Sequence, residues 1–329
     1  MKTIPIFFTF DNNYSIPAAV AFYSLLANAQ TDVHYEMFVL HRDISAQNQA
    51  LLKEVVARFG NATLKFLETG NFLVDNWRRG NWDGQQNGTS FTVDTLIRCF
   101  AARFFPSLDK IIYSDVDVVF VADISELWDV DVENVYVAGV RNAFMKSNPQ
   151  ELSHLSRENY EMLKDSYLAG GIWVMNLKNI RRDDIEAKML AVIKDDTIIK
   201  RFNDQDVLNI ACGGKVAFLP LNYISYPYLM EWVRKDSFVS HYTRDELYDS
   251  FIHPKIIHYA TVKPWNGLPG HVRRQEIWWA IHNYLRLGLQ EPESTGKIIN
   301  RLNRKCRRLW VGIAVLAVLN IVLICWLLA

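Results

Sequence analysis

The run Lys110-Ile111-Ile112-Tyr113-Ser114-Asp115-Val116-Asp117 sets two carboxylates two residues apart at the end of an apolar stretch. In an extended chain residues i and i+2 leave the same face, so Asp115 and Asp117 can share one hard cation through oxygen. Much later Ile256-Ile257 ends in His258-Tyr259, and Lys263-Pro264-Trp265 follows. A neutral imidazole is a good ligand for a transition cation. An ammonium nearby can meet a phosphate as a point charge. Two carboxylates, an imidazole and a lysine are what is needed to hold a divalent cation against a diphosphate. The chemistry indicated is on a nucleotide-activated substrate. The mixed donor set leans to Mn2+, with Mg2+ as the alternative.

The Asp-x-Asp pattern recurs at Asp129-Val130-Asp131 and Asp204-Gln205-Asp206. What separates Asp115 and Asp117 is their place at a strand end, where ligands bind in open α/β sheets. The bland alternative for them is a pair of turn or cap aspartates. Asp204-Gln205-Asp206 has two compatible readings. One is an acidic first turn of a helix capped by Asn203 or Asp204; the other is a catalytic set. Gly170-Gly171 before a strand lets backbone approach a ligand, or permits a turn. The aromatics of residues 223–228, with Trp232, read either as core or as a platform for an acceptor.

The elements that would position these groups alternate through the first half. Residues 3–10, 34–40 and 63–68 read as strands, and 16–28 and 46–59 as helices, the pattern of parallel βαβ units. A helix fits residues 93–105, where Val93, Leu96, Ile97, Phe100, Ala101 and Phe104 make one apolar stripe, Arg98 lies off it and Pro106 ends it. The strand 110–114 follows. In the second half 135–140 and 172–177 look like strands, and 204–212 and 273–286 like helices. Residues 71–90 form a loop rich in Gly, Asn and Trp, and 291–296 a linker.

The chain has 329 residues, half of them apolar, and zero formal net charge. It carries no nucleic-acid footprint. Cys99, Cys212, Cys306 and Cys325 are scattered without a CxxC pair, which argues against a disulfide framework or a zinc site. Residues 3–10 are too short for a signal peptide and lack its cleavage site. Residues 309–329 carry no charge, follow Arg301, Arg304, Lys305, Arg307 and Arg308, and hold Trp310 and Trp326 near their ends. They read as a transmembrane tail anchor. The expectation is a catalytic domain over 1–290 on the cytoplasmic side of the cell inner membrane, a linker and basic juxtamembrane segment over 291–308, and the anchor. There the sequons at Asn61 and Asn87 carry no meaning.

Asp11-Asn12-Asn13-Tyr14, Arg98, Asp115-Val116-Asp117, Gly171 with Asn176-Leu177, Asp204-Gln205-Asp206, and His258-Tyr259 with Lys263-Pro264-Trp265 follow one another along the chain. In that order the set resembles family 8 of the retaining glycosyltransferases, a group with bacterial lipopolysaccharide galactosyl- and glucosyltransferases and, more distantly, glycogenin. The resemblance spans residues 3–266. It implies an α/β, Rossmann-like nucleotide-sugar transferase fold of GT-A type with a mostly parallel sheet, to which the C-terminal transmembrane helix would be added. It implies transfer of glucose or galactose from a UDP-sugar donor to a glycan or lipid-linked saccharide acceptor. By motif, Asp115, Asp117 and His258 look like the Mn2+ ligands. Asp11 and Asn13 look like the uracil and ribose contacts, with Tyr14 nearby. Lys263 looks like the diphosphate contact and Arg98 a donor contact, Gly171 falls in the donor-binding set, and Asp204 and Gln205 look like the residues under the transferred sugar.

Two stretches depart from the family: Leu168-Ala169-Gly170-Gly171, where an asparagine often touches sugar, and Arg141-Asn142, where an acidic residue often stands. They leave the sugar and the acceptor geometry open. Retention of configuration needs a same-face substitution or a covalent intermediate. The amide of Gln205 is a poor nucleophile, Asp204 or Asp206 a better one, and the same-face route is expected. The alternatives are a self-glucosylating primer, a donor hydrolase and a non-catalytic nucleotide-sugar-binding membrane protein.

Overall fold

The computed structural model describes residues 1–73, 93–144, 146, 152–235, 238–266 and 272–287. The chain opens with β1 (Lys2–Thr9), α1 (Ser15–Ala27), β2 (Val33–His41), α2 (Ala46–Ala57) and β3 (Ala62–Glu68). The helical stretch before the next strand is split into α3 (Val93–Ile97) and α4 (Ala101–Phe104) by a 3-10 turn over Arg98–Phe100. The single helix expected over 93–105 breaks where the Arg98 Nε–H donates to the Thr95 carbonyl, 2.9 Å away. Then come β4 (Lys110–Ser114), β5 (Val118–Phe120), β6 (Val137–Arg141), α5 (Arg157–Leu163) and β7 (Leu168–Asn176). Helices α6 (Leu177–Arg182), α7 (Ile185–Lys194) and α8 (Asp204–Cys212) lead to β8 (Val216–Leu219). Finally α9 (Leu229–Val233), α10 (Arg244–Ile252), β9 (Ile256–His258) and α11 (Gln275–Leu285) follow.

Among the described residues the main sheet has seven strands in the order β3-β2-β1-β4-β7-β6-β8. The first four are mutually parallel. β7 runs antiparallel to both of its neighbours, β4 and β6. The sheet is therefore mixed. β1 shows why it is covered on both faces. Ile4, Ile6 and Phe8 join the core under α1 and α2, while Phe7 joins the opposite core with Tyr113, Trp173 and residues of α6, α7 and α8. This is the period-two alternation of a strand buried on both sides.

The expected architecture is corrected at its membrane helix. No helix among the described residues is long and apolar enough to cross a membrane. The 13 residues of α1 reach only about 20 Å at 1.5 Å per residue, against a bilayer core of about 30 Å. The apolar residues of α1 and α2 are spent on the core over the sheet. The inner-membrane location expected with that helix is corrected with it. Residues 74–90 of the expected loop, the linker at 291–296 and the whole stretch 291–329 lie outside the described residues.

Candidate active site

Backbone pairing brings the two distant motifs together. Beyond β4, the Asp115 N–H donates to the Gly171 carbonyl at 2.9 Å, extending the ladder to β7. β5 pairs with β9 so that Val118 faces His258. The Tyr259 N–H donates to the Asp117 carbonyl at 2.9 Å, and the His258 N–H to the Ser225 carbonyl at 3.0 Å. Gly171 sits at φ 111°, and a Cβ there would lie 2.8 Å from both Cε1 and Nδ1 of His258. The close approach that this glycine permits is that of the imidazole.

The result is a cluster of buried or half-buried charges. His258 Nε2 lies 3.4 Å from Asp115 Oδ2 and 3.2 Å from Asp117 Oδ1. One ligand atom from each residue falls within 4.8 Å of the others, a set that could hold a metal ion. An octahedral ion with ligand bonds near 2.1 Å has neighbouring ligand atoms about 3 Å apart. The spacing and the donor chemistry, carboxylate oxygen with imidazole nitrogen, both fit a divalent cation.

Cations already surround the carboxylates. Arg98 Nη1 donates to Asp115 Oδ1 at 2.5 Å and lies 3.6 Å from Asp204 Oδ2. Its guanidinium stacks on the Tyr113 ring at 4.8 Å, and the Tyr113 hydroxyl donates to Asp115. Lys263 Nζ donates to Asp117 Oδ2, to the Tyr259 carbonyl at 2.7 Å and to the Ala260 carbonyl at 2.9 Å. An ammonium has three donors, so all of them are engaged.

These contacts set the protonation states. Burial pushes Asp115 and Asp117 up, but Arg98 holds Asp115, and Lys263 and His258 hold Asp117, below the usual carboxylate range. Burial pulls His258 down, but Asp117 and Asp115 outweigh it and hold it at about 9. Asp204 goes the other way. Burial raises it to about 6, opposed by Arg98 and reinforced by Asp115, and its Oδ2 has no hydrogen-bond partner. The Tyr14 phenol is raised by burial first and then by Asp117, Asp11 and Asp115, which puts it beside the carboxylates.

The remaining expected residues are held by contacts of their own. Asp11 caps the 3-10 turn Asn12–Tyr14, accepting from the Asn13 N–H at 2.9 Å. Asn12 ties that turn to α2 by accepting from the Ser45 N–H and from Asn48 Nδ2, both at 2.9 Å. Asn13 is exposed. Tyr14 meets Trp265 edge to face at 6.0 Å. Gln205 packs over Gly170, where a Cβ would meet its Cγ at 3.4 Å. Asp206 is not drawn into the cluster. It is fully buried and accepts from the Tyr167 hydroxyl at 2.7 Å and the Phe202 N–H at 2.8 Å, with His154 Nε2 3.0 Å away. Of the aromatics at 223–228, Tyr226 is core on one side and lies 5.7 Å from the His258 ring on the other.

Sequence reasoning missed Tyr113 and Ser225. Tyr113 had a signal, since residues 113, 115 and 117 share one face of an extended chain. Ser225 acts through its carbonyl, which no side-chain pattern reveals.

A two-faced α/β sheet offers a ligand site at its strand ends, and here that place carries a carboxylate–imidazole set that could hold a metal ion. The profile of Glycosyl transferase family 8 matches residues 5–268. The chain belongs to that family and is a glycosyltransferase. A putative glycosyltransferase of Haemophilus influenzae is 24% identical over 271 residues, covering 78% of this chain and 75% of the relative. A lipopolysaccharide 1,2-glucosyltransferase of Escherichia coli is 24% identical over 273 residues, covering 80% and 74%. Among solved structures, the galactosyltransferase LgtC in complex with donor and acceptor sugar analogues superposes with a TM-score of 0.68 at 20% identity, over 85% of this chain and 96% of that one. The bifunctional enzyme WbbM superposes with a TM-score of 0.69 at 24% identity, but this chain spans only 50% of its length. These two likenesses are of fold.

Proposed function

We propose that the enzyme moves a hexose, glucose or galactose, from a UDP-sugar to a saccharide acceptor of lipopolysaccharide type, with retention of configuration and dependence on Mn2+. One observation carries this reading: Asp115, Asp117 and His258 present three metal-type ligand atoms within 4.8 Å, with the Lys263 ammonium bonded to one of them. The names of the Escherichia coli glucosyltransferase and of LgtC support the sugar class. Asp115, Asp117 and His258 would hold the cation, which as a Lewis acid offsets charge on the departing diphosphate. Lys263 adds a point charge on the same side. Asp11, Asn13 and Tyr14, at the end of β1, would take the nucleoside, with Arg98 and Gly171 on the donor side. Asp204, ionised above about pH 6, faces Arg98 and would stabilise positive charge on the sugar, with Gln205 beside it.

The test is a panel of nucleotide sugars incubated with Mn2+ and saccharide acceptors, read by release of nucleoside diphosphate. UDP-hexose is expected to be consumed only with acceptor present, and EDTA to stop the reaction. Release that persists undiminished in EDTA would sink the metal assignment. Release that ignores the acceptor would make the enzyme a hydrolase.

A further inference from the structure

The turn that leads into α8 is held by something other than an ordinary cap. Asn203 precedes the helix at φ 47°, ψ −110°, and its side chain makes no cap hydrogen bond. Both of its amide atoms are buried without a partner. That backbone is outside the regions open to L-residues and persists only where the surroundings over-determine it. Asparagine at this place normally satisfies a first-turn N–H; here it does not.

Asp206, the third residue of α8, reaches back instead. Its Oδ2 accepts from the Phe202 N–H at 2.8 Å, one residue before the strained position. Its Oδ1 accepts from the Tyr167 hydroxyl at 2.7 Å, and His154 Nε2 lies 3.0 Å from Oδ2. Phe202 closes the turn by accepting from the Gln205 N–H at 3.0 Å. Tyr167 is the residue immediately before β7. Asn209 makes the second tie, accepting from the Leu168 N–H at 2.8 Å and donating to the Leu168 carbonyl at 3.0 Å. The first turn of α8 is thus bolted to the strand that carries Gly170 and Gly171.

We infer that Asp206 is a positioning residue, which with Tyr167 and His154 clamps the Asn203 turn so that Asp204 and Gln205 are presented to the reacting sugar. The inference rests on the proposed transfer at this site. It takes Asp206 off the list of nucleophiles, since its carboxylate is fully buried and turned to these three donors.

The decisive variant is Tyr167→Phe, which leaves every carboxylate in place. Two measurements on the full chain apply. Hydrogen exchange read by mass spectrometry should show the amides of residues 202–206 exchanging about tenfold faster than in the parent while the β1–β4 strands keep their protection. Steady-state kinetics should show kcat lowered by about tenfold to a hundredfold, as for a misplacement of reacting groups, with the donor KM nearly unchanged. Asp206→Asn should move both readouts the same way and further. Parental exchange at 202–206 in Tyr167→Phe would overturn the clamp. So would parental kcat in Tyr167→Phe beside a dead but folded Asp206→Asn, which would give the carboxylate a direct part in the chemistry. If the parent turns over no nucleotide sugar, the proposed function fails, and the exchange measurement still decides the clamp.

Discussion

Two clusters in this molecule are built from the same parts and end in opposite states. Around Asp115 and Asp117 stand a histidine and a tyrosine, His258 and Tyr113. Around Asp206 stand His154 and Tyr167. Both carboxylate motifs read Asp-x-Asp in the sequence. In the first, carboxylate oxygens and an imidazole nitrogen lie within 4.8 Å of one another, near enough to share one ion, and the balance is kept by Arg98 and Lys263. In the second, the donors close on the carboxylate itself. A buried polar network that is fully satisfied rigidifies the core around it, which is the state of the Asp206 carboxylate in the second. The strongest way to break the contrast is Asp117→Asn. Transfer is expected to fall by about a thousandfold or more, the scale of losing a preorganised electrostatic element, in a protein that remains folded by circular dichroism. Unchanged turnover would remove the metal centre from the proposed function.

Gly171→Ala attacks the same cluster without touching a charge. The added methyl would meet the His258 ring at 2.8 Å, and the backbone holds φ 111°. Strain and displacement together should cost about 3 kcal/mol of stability, measured by urea unfolding. Metal affinity, read by the loss of the free Mn2+ signal in electron paramagnetic resonance, should weaken with it. A variant as stable as the parent with equal affinity would show that the imidazole does not depend on this glycine.

The contrast between the clusters was only half legible in the chain. The parallel half of the sheet was readable because β1, β2 and β4 are apolar runs flanked by helices with apolar faces, and segment ends were met within a residue or two. The site was readable where chemistry needs particular side chains, as at Asp115, Asp117 and His258. What escaped depends on backbone. The strands β5 and β8 are three and four residues long, too short for a periodic signal. β7 begins four residues earlier than expected, because Gly170-Gly171 reads as a close approach to a ligand or as a turn until His258 is seen lying on Gly171. Asp204 and Asp206 are two residues apart on one helical turn, and nothing local says that one faces Arg98 and the other Tyr167.

That divergence has a pH signature. Asp204 is held at about 6, mainly by burial, above the usual carboxylate value. The folded protein therefore binds a proton there that the unfolded chain has released between about pH 4 and pH 6. The stabilisation is fully present below about pH 4 and is lost as pH rises through about 6, about 3 kcal/mol in all. Other carboxylates slope the opposite way, so the measurement is the difference between the parent and Asp204→Asn in urea unfolding from pH 4 to 7.5. The difference should shrink or reverse by about that amount across the window. Parallel curves would mean that Asp204 is solvated as an ordinary aspartate.

The smallest expected effect bears most directly on the difference between the clusters, because it asks whether the first gives up one of its contacts to a cation. Lys263 spends its three donors on Asp117 and on the Tyr259 and Ala260 carbonyls. A divalent cation at Asp117 and the ammonium of Lys263 therefore draw on the same carboxylate, and a diphosphate would have to win the lysine away. Lys263→Met removes the competitor. Affinity for Mn2+ alone should rise by about fivefold to tenfold, near 1 kcal/mol, while nucleoside diphosphate should bind more weakly in the presence of saturating Mn2+. Opposite signs in the two titrations are what an ammonium shared between carboxylate and phosphate demands. Metal affinity unchanged by the substitution would mean that Asp117 gives its lone pairs to the cation without releasing Lys263, so that ammonium and cation do not compete for it.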